Sequence, residues 1–285
     1  MIAVGEVLKP VITPEIAAAW SEAVNFLAKI LIDAEDRLYA IAEARTGGWR
    51  GWKNFVVSDI TTVATGVKSF SFVPEEGPPT AIMFTPGQYL SIRVDVNGDH
   101  TFTSPRHYTI TSKPGEKFLQ MTSKRMDNGT VTGFMHDVLT VGHVVQLSPP
   151  SGPFSLTQHT NRPAVLISAG IGRTPMKAFL DALIASGHSP TTVHVDKNEE
   201  AVPFRDYFES INPGLNKYYY TQKEGRPVTS EITKELTSGE QTDAVYYICG
   251  PTAFMQGIAH GLVASGVTRD RIIWEAFSPQ MACPV

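Results

Sequence analysis

From residue 163 onward, short apolar runs of strand length alternate with longer segments of helical period. AVLISA is apolar along its whole length and TPMKAFLDALIAS is helical; TTVHVD is a strand and VPFRDYFESI a helix. KYYYT and AVYYIC are strands, PTAFMQGIAHGLVAS is a helix, and RIIWEAF closes the region. A run apolar on both faces must be covered on both faces, and helices between successive strands do that only if the strands run parallel. The alternation therefore predicts βαβ units in a Rossmann-like parallel sheet.

Residues 52 to about 157 have a different texture. NFVVSDIT, VKSFSFV, GQYLSIRVDV, RHYTIT, FLQMTSK and HVVQLSP are short β-rich runs separated by Gly, Pro and Asn-Gly punctuation. That spacing predicts a small antiparallel barrel. A helix over 131–139 is expected to interrupt it, after the turn Asp127-Asn128-Gly129. Residues 14–44 predict one long helix, with Thr13 as N-cap, Pro14 in its first turn and Gly47-Gly48 as its stop. Ile16, Trp20, Val24, Leu27, Leu31 and Leu38 recur at steps of three, four and seven and form one apolar stripe. A lone helix cannot bury such a stripe against itself, so it needs a partner surface in this chain or another, and self-association is one way to supply it. The expected fold class is α+β followed by α/β. Its segments are 1–50, 51–157 and 158–285, with the last boundary in the linker 155–163.

Composition narrows the function classes. Of 285 residues, 42% are hydrophobic and 18% charged, which suits a globular chain rather than a disordered one. The net charge is −4 and no basic tract occurs, so nucleic-acid binding has no electrostatic support. No apolar run approaches the ~20 residues that span a bilayer. The first residues lack the basic start and apolar core of a secretory signal. Cys249 and Cys283 are far apart, and a reduced cytoplasmic setting is the simpler expectation. The eight histidines form no cluster at metal-ligand spacing, so no metal site is expected.

Four stretches carry chemistry. AGIGRTPM, 169–176, follows a strand and opens a helix; Gly170 and Gly172 permit a tight turn, and the helix N-terminus presents N–H groups to a phosphate. Alone it is also an ordinary turn. CGPTAFM, 249–255, lies at the end of a later strand, where open α/β sheets bind ligands. Gly170, Gly172, Thr174, Cys249, Gly250 and Pro251 then share one crevice, although Cys249 by itself also reads as a small buried residue. In PRHYTI, 105–110, strand alternation puts Arg106 and Tyr108 on one face, a fork for a pyrophosphate beside a ring for a flat ligand. An isolated pair of this kind is as easily a surface arginine beside a packed tyrosine. GTVTGFMH, 129–136, opens a second helix whose first residues, Gly129 to Thr132, suit the same pyrophosphate.

Taken in order, TPGQY, PRHYTI, GTVTGFMHD, SAGIGRTPM, CGPTAFM and WEAFSP resemble the ferredoxin–NADP⁺ reductase superfamily, and most closely flavohaemoglobin, the globin–reductase fusion that acts as nitric oxide dioxygenase. The junction GGWRGWKNFVV, 47–57, is similar to its globin-to-reductase junction. The resemblance implies a flavin-binding barrel and a nicotinamide-binding α/β domain. It implies that Arg106 holds the FAD pyrophosphate, Tyr108 packs on the isoalloxazine with Thr109 near its reactive nitrogen, and His107 lies between them on the same cofactor-binding strand. Tyr89 would contact the adenine half, and Gly129, Thr130, Val131 and Thr132 the phosphates. Gly170, Ile171, Gly172, Arg173, Thr174 and Pro175, with Cys249, Gly250 and Pro251, would bind NAD(P)H. Glu275, Ala276, Phe277, Ser278 and Pro279 would lie beside the flavin, with Tyr108, Thr109, Glu275 and Phe277 nearest the chemistry. Family members usually carry Gln-Tyr-Ser after the arginine and end in EVFGP; here the residues are His107-Tyr108-Thr109 and EAFSP.

The resemblance at the front reaches only the last globin helix, so no haem is expected in this chain, and the acceptor is left open between a separate haem protein, a dye, a quinone and oxygen. Glu199 and Glu200, after the strand TTVHVD, favour NADH by repelling a 2′-phosphate, while Lys197 and Arg205 pull toward NADPH. Two other readings remain at this level. One is a catalytically degenerate module that docks through helix 14–44. The other is a cytochrome b5 reductase-like enzyme, which does not predict that helix.

Overall fold

The computed structural model describes residues 13–99, 101–156, 162–225, 229–238 and 243–277. It begins with the long helix α1 (Pro14–Glu43), capped by the Thr13 hydroxyl, which accepts from the Ile16 N–H at 3.3 Å. No residue of α1 is buried, and Trp20, Leu27, Leu31 and Leu38 stand exposed along it. Beyond the helix the chain docks. Arg45 Nη1 donates to Gln88 Oε1 at 3.0 Å, and the buried Trp49 packs on Phe55 and donates through Nε1 to the Leu147 carbonyl.

Six strands follow: β1 (Lys53–Ala64), β2 (Val67–Pro74), β3 (Tyr89–Arg93), β4 (Arg106–Thr109), β5 (Leu119–Lys124) and β6 (Val144–Leu147). They form one antiparallel sheet in the order β4-β3-β6-β1-β2-β5. An Ile110–Met121 bridge and the Thr111 N–H to Gln120 carbonyl bond, at 2.7 Å, join the two edges, so the sheet curls into the expected barrel and no long edge is left bare. Inward residues such as Phe55, Phe70, Phe72, Leu90, Ile92 and Leu119 make its core. Helix α2 (Thr130–Asp137) plugs one end with Val131 and Met135.

The second sheet contains β7 (Ala164–Ala169), β8 (Thr191–Asp196), β9 (Asn216–Tyr220), β10 (Val245–Cys249) and β11 (Ile272–Glu275). All pairs are parallel and the order is β11-β10-β7-β8-β9. The connecting helices are α3 (Arg173–Ala185), α4 (Arg205–Ile211), the short α5 (Thr221–Glu224), α6 (Thr229–Leu236) and α7 (Thr252–Ala264). Alternation explains why β7 is apolar throughout. Val165 and Ile167 join Ile232, Leu236, Ile258 and Leu262 on one face, whereas Leu166 joins Phe179, Leu180, Leu183 and Phe208 on the other. Among the described residues no helix is long and apolar enough to cross a membrane.

Two elements differ from the sequence expectation. The helix expected from Val202 starts at Arg205, because Phe204 adopts a left-handed conformation (φ 58°) that no helix interior accommodates. The sequence patterning does not single out α6, whose eight residues bury only Ile232, Thr233 and Leu236. It is held by close packing on α7: a Cβ on Gly261 would meet Thr233 Cγ2 at 2.9 Å and Cβ at 3.1 Å. Gly261→Ala therefore sets helix propensity, ~1 kcal/mol in favour of Ala, against overpacking of about 1–3 kcal/mol. The contact lies on the rigid part of Thr233, so overpacking wins. Thermal unfolding followed by circular dichroism should show a lower Tm for Gly261→Ala than for the parent.

Candidate functional site

Open parallel sheets bind ligands where the strand order reverses direction, outside the carboxyl ends of the strands. Here that point lies between β7 and β10, the adjacent strands from which the chain proceeds in opposite directions across the sheet. The turn Gly170–Gly172 leaves β7 as a single 3₁₀ turn with Gly170 at φ 53°, and α3 starts directly after it. The turn Cys249-Gly250-Pro251 leaves β10 and leads into α7. The two turns touch: a Cβ on Gly172 would meet the Cys249 carbonyl carbon at 2.6 Å and Gly250 N at 2.9 Å. Only glycine allows this approach, which makes the two predicted motifs one floor.

The wall beside that floor is ionisable. Cys249 is wholly buried and pairs in register with Glu275 of β11. Burial pushes the Cys249 thiol well above its ordinary range, and the Glu275 charge adds to this. Burial also raises the Glu275 carboxyl to about 7, and its Oε2 has no hydrogen-bond partner among the described residues. Ala276 packs partly buried on the α/β core, and Phe277 is exposed. Ser278 and Pro279 lie outside the described residues.

The barrel side presents the other predicted residues. β3–β4 pairing sets Arg106 opposite Ile92 and Tyr108 opposite Leu90, on the face of the barrel core, with Tyr108 packed partly against that core. Tyr89, His107 and Thr109 project from the other face. The His107 Nδ1 is 2.8 Å from Ser91 Oγ and its ring lies 4.8 Å from that of Tyr89. Burial, and then Arg106, lower its pKa. Arg106 is exposed and rests Nη1 on the carbonyls of Ser104 and Pro105. Thr109 is buried, and its hydroxyl has no partner among the described residues.

The N-terminus of α2 opens nearby. Gly129 is its N-cap and offers no side-chain cap, so the first-turn N–H groups, at Thr130, Val131 and Thr132, stay available. The Thr132 hydroxyl closes the preceding turn by accepting from Met126 N at 3.3 Å. His136, in the last turn, contacts the Ser123 carbonyl at 3.0 Å, which anchors α2 to β5.

Barrel and sheet meet at these surfaces. Lys124, the last residue of β5, holds its ammonium 4.0 Å from where a Gly170 Cβ would be, a cation reaching across to the glycine turn. Sequence patterning carries no signal for it, because it is a strand-end lysine in the other half of the chain. Asp196 was also missed, yet a signal existed. It ends β8, 24 residues beyond Gly172, near where dinucleotide folds keep an acid for the ribose. It accepts from its neighbour Lys197 N at 2.8 Å and faces the buried His194. His194 is bonded to Ser168 and pushed down to about 4 by burial. Thr174 and Pro175 are buried in the first turn of α3, with Thr174 Oγ1 donating to the Ile171 carbonyl. Arg173 points under the sheet. Its guanidinium lies 3.6 Å from the Phe208 ring centroid and donates to Tyr218 Oη at 3.1 Å, and burial lowers its pKa to about 10.

Two oxidoreductase domain families match the chain, one after the other. Residues 54–156 match the oxidoreductase FAD-binding domain family and residues 166–260 the oxidoreductase NAD-binding domain family. Flavohemoprotein A of Dictyostelium discoideum is 32% identical over 292 residues, covering 97% of this chain and 73% of that protein. The crystal structure of a flavohemoglobin from Malassezia yamatoensis, with bound FAD and heme, superposes with a TM-score of 0.78 at 28% identity. It covers 97% of this chain and 72% of that one. The FAD/NAD-binding domain of a nitric oxide dioxygenase from Vibrio cholerae gives 0.71 at 29% identity, with 80% of this chain and 99% of that domain covered.

The raised Glu275 carboxyl has a thermodynamic consequence. Between pH 4.5 and about 7 the folded chain keeps a proton there that the unfolded chain has released, so stability falls as pH rises through that window. The full loss is on the order of 3 kcal/mol. Glu275→Gln removes it. Urea midpoints at pH 5 and pH 8 should show a smaller drop for the variant than for the parent, and equal drops would mean that the carboxyl is not buried.

Proposed function

The chain belongs to the flavohaemoprotein family, and from that premise we propose that it is an FAD-dependent NADH oxidoreductase of the nitric oxide dioxygenase type. In this reading residues 51–157 hold FAD, residues 158–285 bind the nicotinamide, and residues 1–50 carry a helix that faces a haem-bearing acceptor. The M. yamatoensis relative, with FAD and heme in one chain, supports haem as that acceptor. A cytoplasmic setting accords with Cys249 as a free, buried thiol. One observation carries the reading: the strand that presents Arg106, Tyr108 and Thr109 runs on to Thr111, which is bonded to the helix opened by Gly170–Gly172. Two cofactor surfaces thus face one junction.

The residues present fit a flavin. The buried Thr109 hydroxyl has no partner among the described residues, which suits a flavin ring nitrogen, and the uncapped α2 N-terminus suits a pyrophosphate. Arg106, exposed and lightly held, can turn its fork onto that pyrophosphate. Tyr108, whose phenol is raised above its ordinary pKa by burial, stays neutral and offers a ring face. When bound, FAD supplies the chemistry: it takes the hydride of NADH and passes electrons to the acceptor. Around it, Gly170–Gly172 and Cys249–Pro251 seat the nicotinamide half, and Lys124 adds a cation for its phosphates. The neutral Cys249 thiol forms a wall that neither attacks nor repels. Glu275, with a pKa near neutrality, holds or releases a proton beside the ring.

NADH is favoured over NADPH by how the local charges are already paired. Arg205, a guanidinium placed to attract a 2′-phosphate, is bonded to Glu199 at 3.1 Å and lies 3.7 Å from Asp206. Asp196 stands at the ribose position and repels the same phosphate.

Purified protein should be yellow, with its flavin bleached by NADH under anaerobic conditions; a colourless protein that takes up no added FAD overturns the reading. Arg106→Ala should weaken FAD binding by roughly 10–100-fold, the value of one charge-assisted contact. His107→Gln, at a ring whose Nδ1 is taken up by Ser91 Oγ, should leave the reduction rate within about twofold. Glu199→Gln removes one of the anions paired with Arg205, leaving Asp206 and Tyr220 beside it, and should raise kcat/KM for NADPH relative to NADH by about tenfold, from ~1.4 kcal/mol. An unchanged ratio in steady-state assays would place the discriminating residue elsewhere.

A further inference from the structure

A buried ion pair supports the bond from α3 to Thr111, where the two halves of the molecule meet. Lys177, four residues into α3, is 9% exposed. Its ammonium donates to Asp181 Oδ2 at 3.0 Å, one turn along the same helix, and to the carbonyl of Thr111 in the barrel at 2.8 Å. Tyr207 of α4 donates its hydroxyl to the other Asp181 oxygen. The ammonium also lies 4.7 Å from the Tyr207 ring centroid and 5.7 Å from that of Phe204. Phe204 is the bulky residue with φ 58°, so the backbone carries strain where it delivers this ring.

Burying an ammonium and a carboxylate is unfavourable unless both are well bonded, and a solvent-exposed pair would have done as much for solubility. The geometry points to what this pair achieves. Thr111 lies two residues beyond Thr109 on the flavin-facing strand, and Lys177 lies little more than one helical turn beyond Gly172 at the nicotinamide-facing floor. At ~3.3 Å per strand residue and ~1.5 Å per helix residue, each side of the link is only about 7 Å from its half of the site. A second, apolar contact runs alongside: the Phe179 ring of α3 occupies the space of a Gly87 side chain, 2.6 Å from a Cβ built there, next to Gln88 and Tyr89.

We propose that Lys177 is a positioning residue. Its bond to Thr111, braced by Asp181 and Tyr207, sets the stacking of nicotinamide on flavin by fixing α3 against the segment that continues from β4. The assignment rests on the oxidoreductase reading above, and goes beyond it by naming the contact that aligns the two rings.

The test uses the full chain with both charges removed together, Lys177→Met with Asp181→Asn, so that no unpaired ion stays buried. Tyr207→Phe serves as a control, because it loosens the brace and leaves the Lys177–Thr111 bond. In the double variant FAD content and the Kd for NADH should stay within about threefold of the parent. The rate of anaerobic flavin reduction should fall at least tenfold, and the long-wavelength charge-transfer absorbance of the reduced flavin with nicotinamide should be lost. Tyr207→Phe should lower Tm while keeping rate and absorbance within about threefold. A readout without cofactors accompanies these: in the FAD-free chain, amide exchange around 109–112 and along α3 should quicken in the double variant. A double variant that keeps rate, absorbance and exchange protection overturns the proposal, and so does a Tyr207→Phe loss as large as that of the double variant. If the parent binds no FAD, the oxidoreductase reading fails, and exchange in the FAD-free chain decides the link by itself.

Discussion

The contact between Gly172 and the Cys249 carbonyl is the constraint on which the site depends. Two adjacent parallel strands end side by side, and each must turn sharply into a helix. The turns fit only because neither Gly172 nor Gly250 carries a side chain where Cys249 and Ala169 stand. With the turns in contact, the start of α3 and the Cys249–Glu275 pair acquire fixed places. A side chain at Gly172 would push β7 and β10 apart, and the crevice at the strand ends would open with them.

Around that contact the molecule buries an unusual amount of charge. Arg173, Lys177, Asp181, His194, Asp196 and Glu275 are all wholly or largely withdrawn from water. They are handled differently. Lys177 and Asp181 satisfy each other and a barrel carbonyl. His194 stays neutral between Ser168 and Asp196. Arg173 lies against the Phe208 ring and donates to Tyr218. Glu275 has the weakest compensation, and its carboxyl accordingly drifts toward neutrality. A group left poised in this way beside a crevice is a common mark of a functional site rather than of a stabilising one.

Helix α1 follows a different logic. It has a sound N-cap and thirty residues, and its backbone bonds are internal, so it keeps its shape with no buried residue. Its apolar stripe stands exposed, and the segment after the helix joins the barrel through Arg45 and Gln88 and through Trp49 and Leu147.

Much was legible in the sequence because it depended on local pattern. Strand alternation separated Arg106 and Tyr108 from His107, and the period change near residue 160 marked where barrel strands give way to βαβ units. Both glycine turns were readable as turns because a strand, a turn and a helix follow one another within a dozen residues. Only the tertiary structure decided what lies across the chain from these motifs. Lys124 meets Gly170, Lys177 reaches back to Thr111, and Thr233 presses on Gly261, contacts whose partners are separated by tens of residues and have no periodic signature. Arg173 shows the limit most clearly. Its place in a glycine-rich turn suggested a cofactor ligand, yet the helix it opens directs its side chain beneath the sheet. Pattern sets which face of an element is apolar, whereas the direction of a single long side chain is set by the space its neighbours leave.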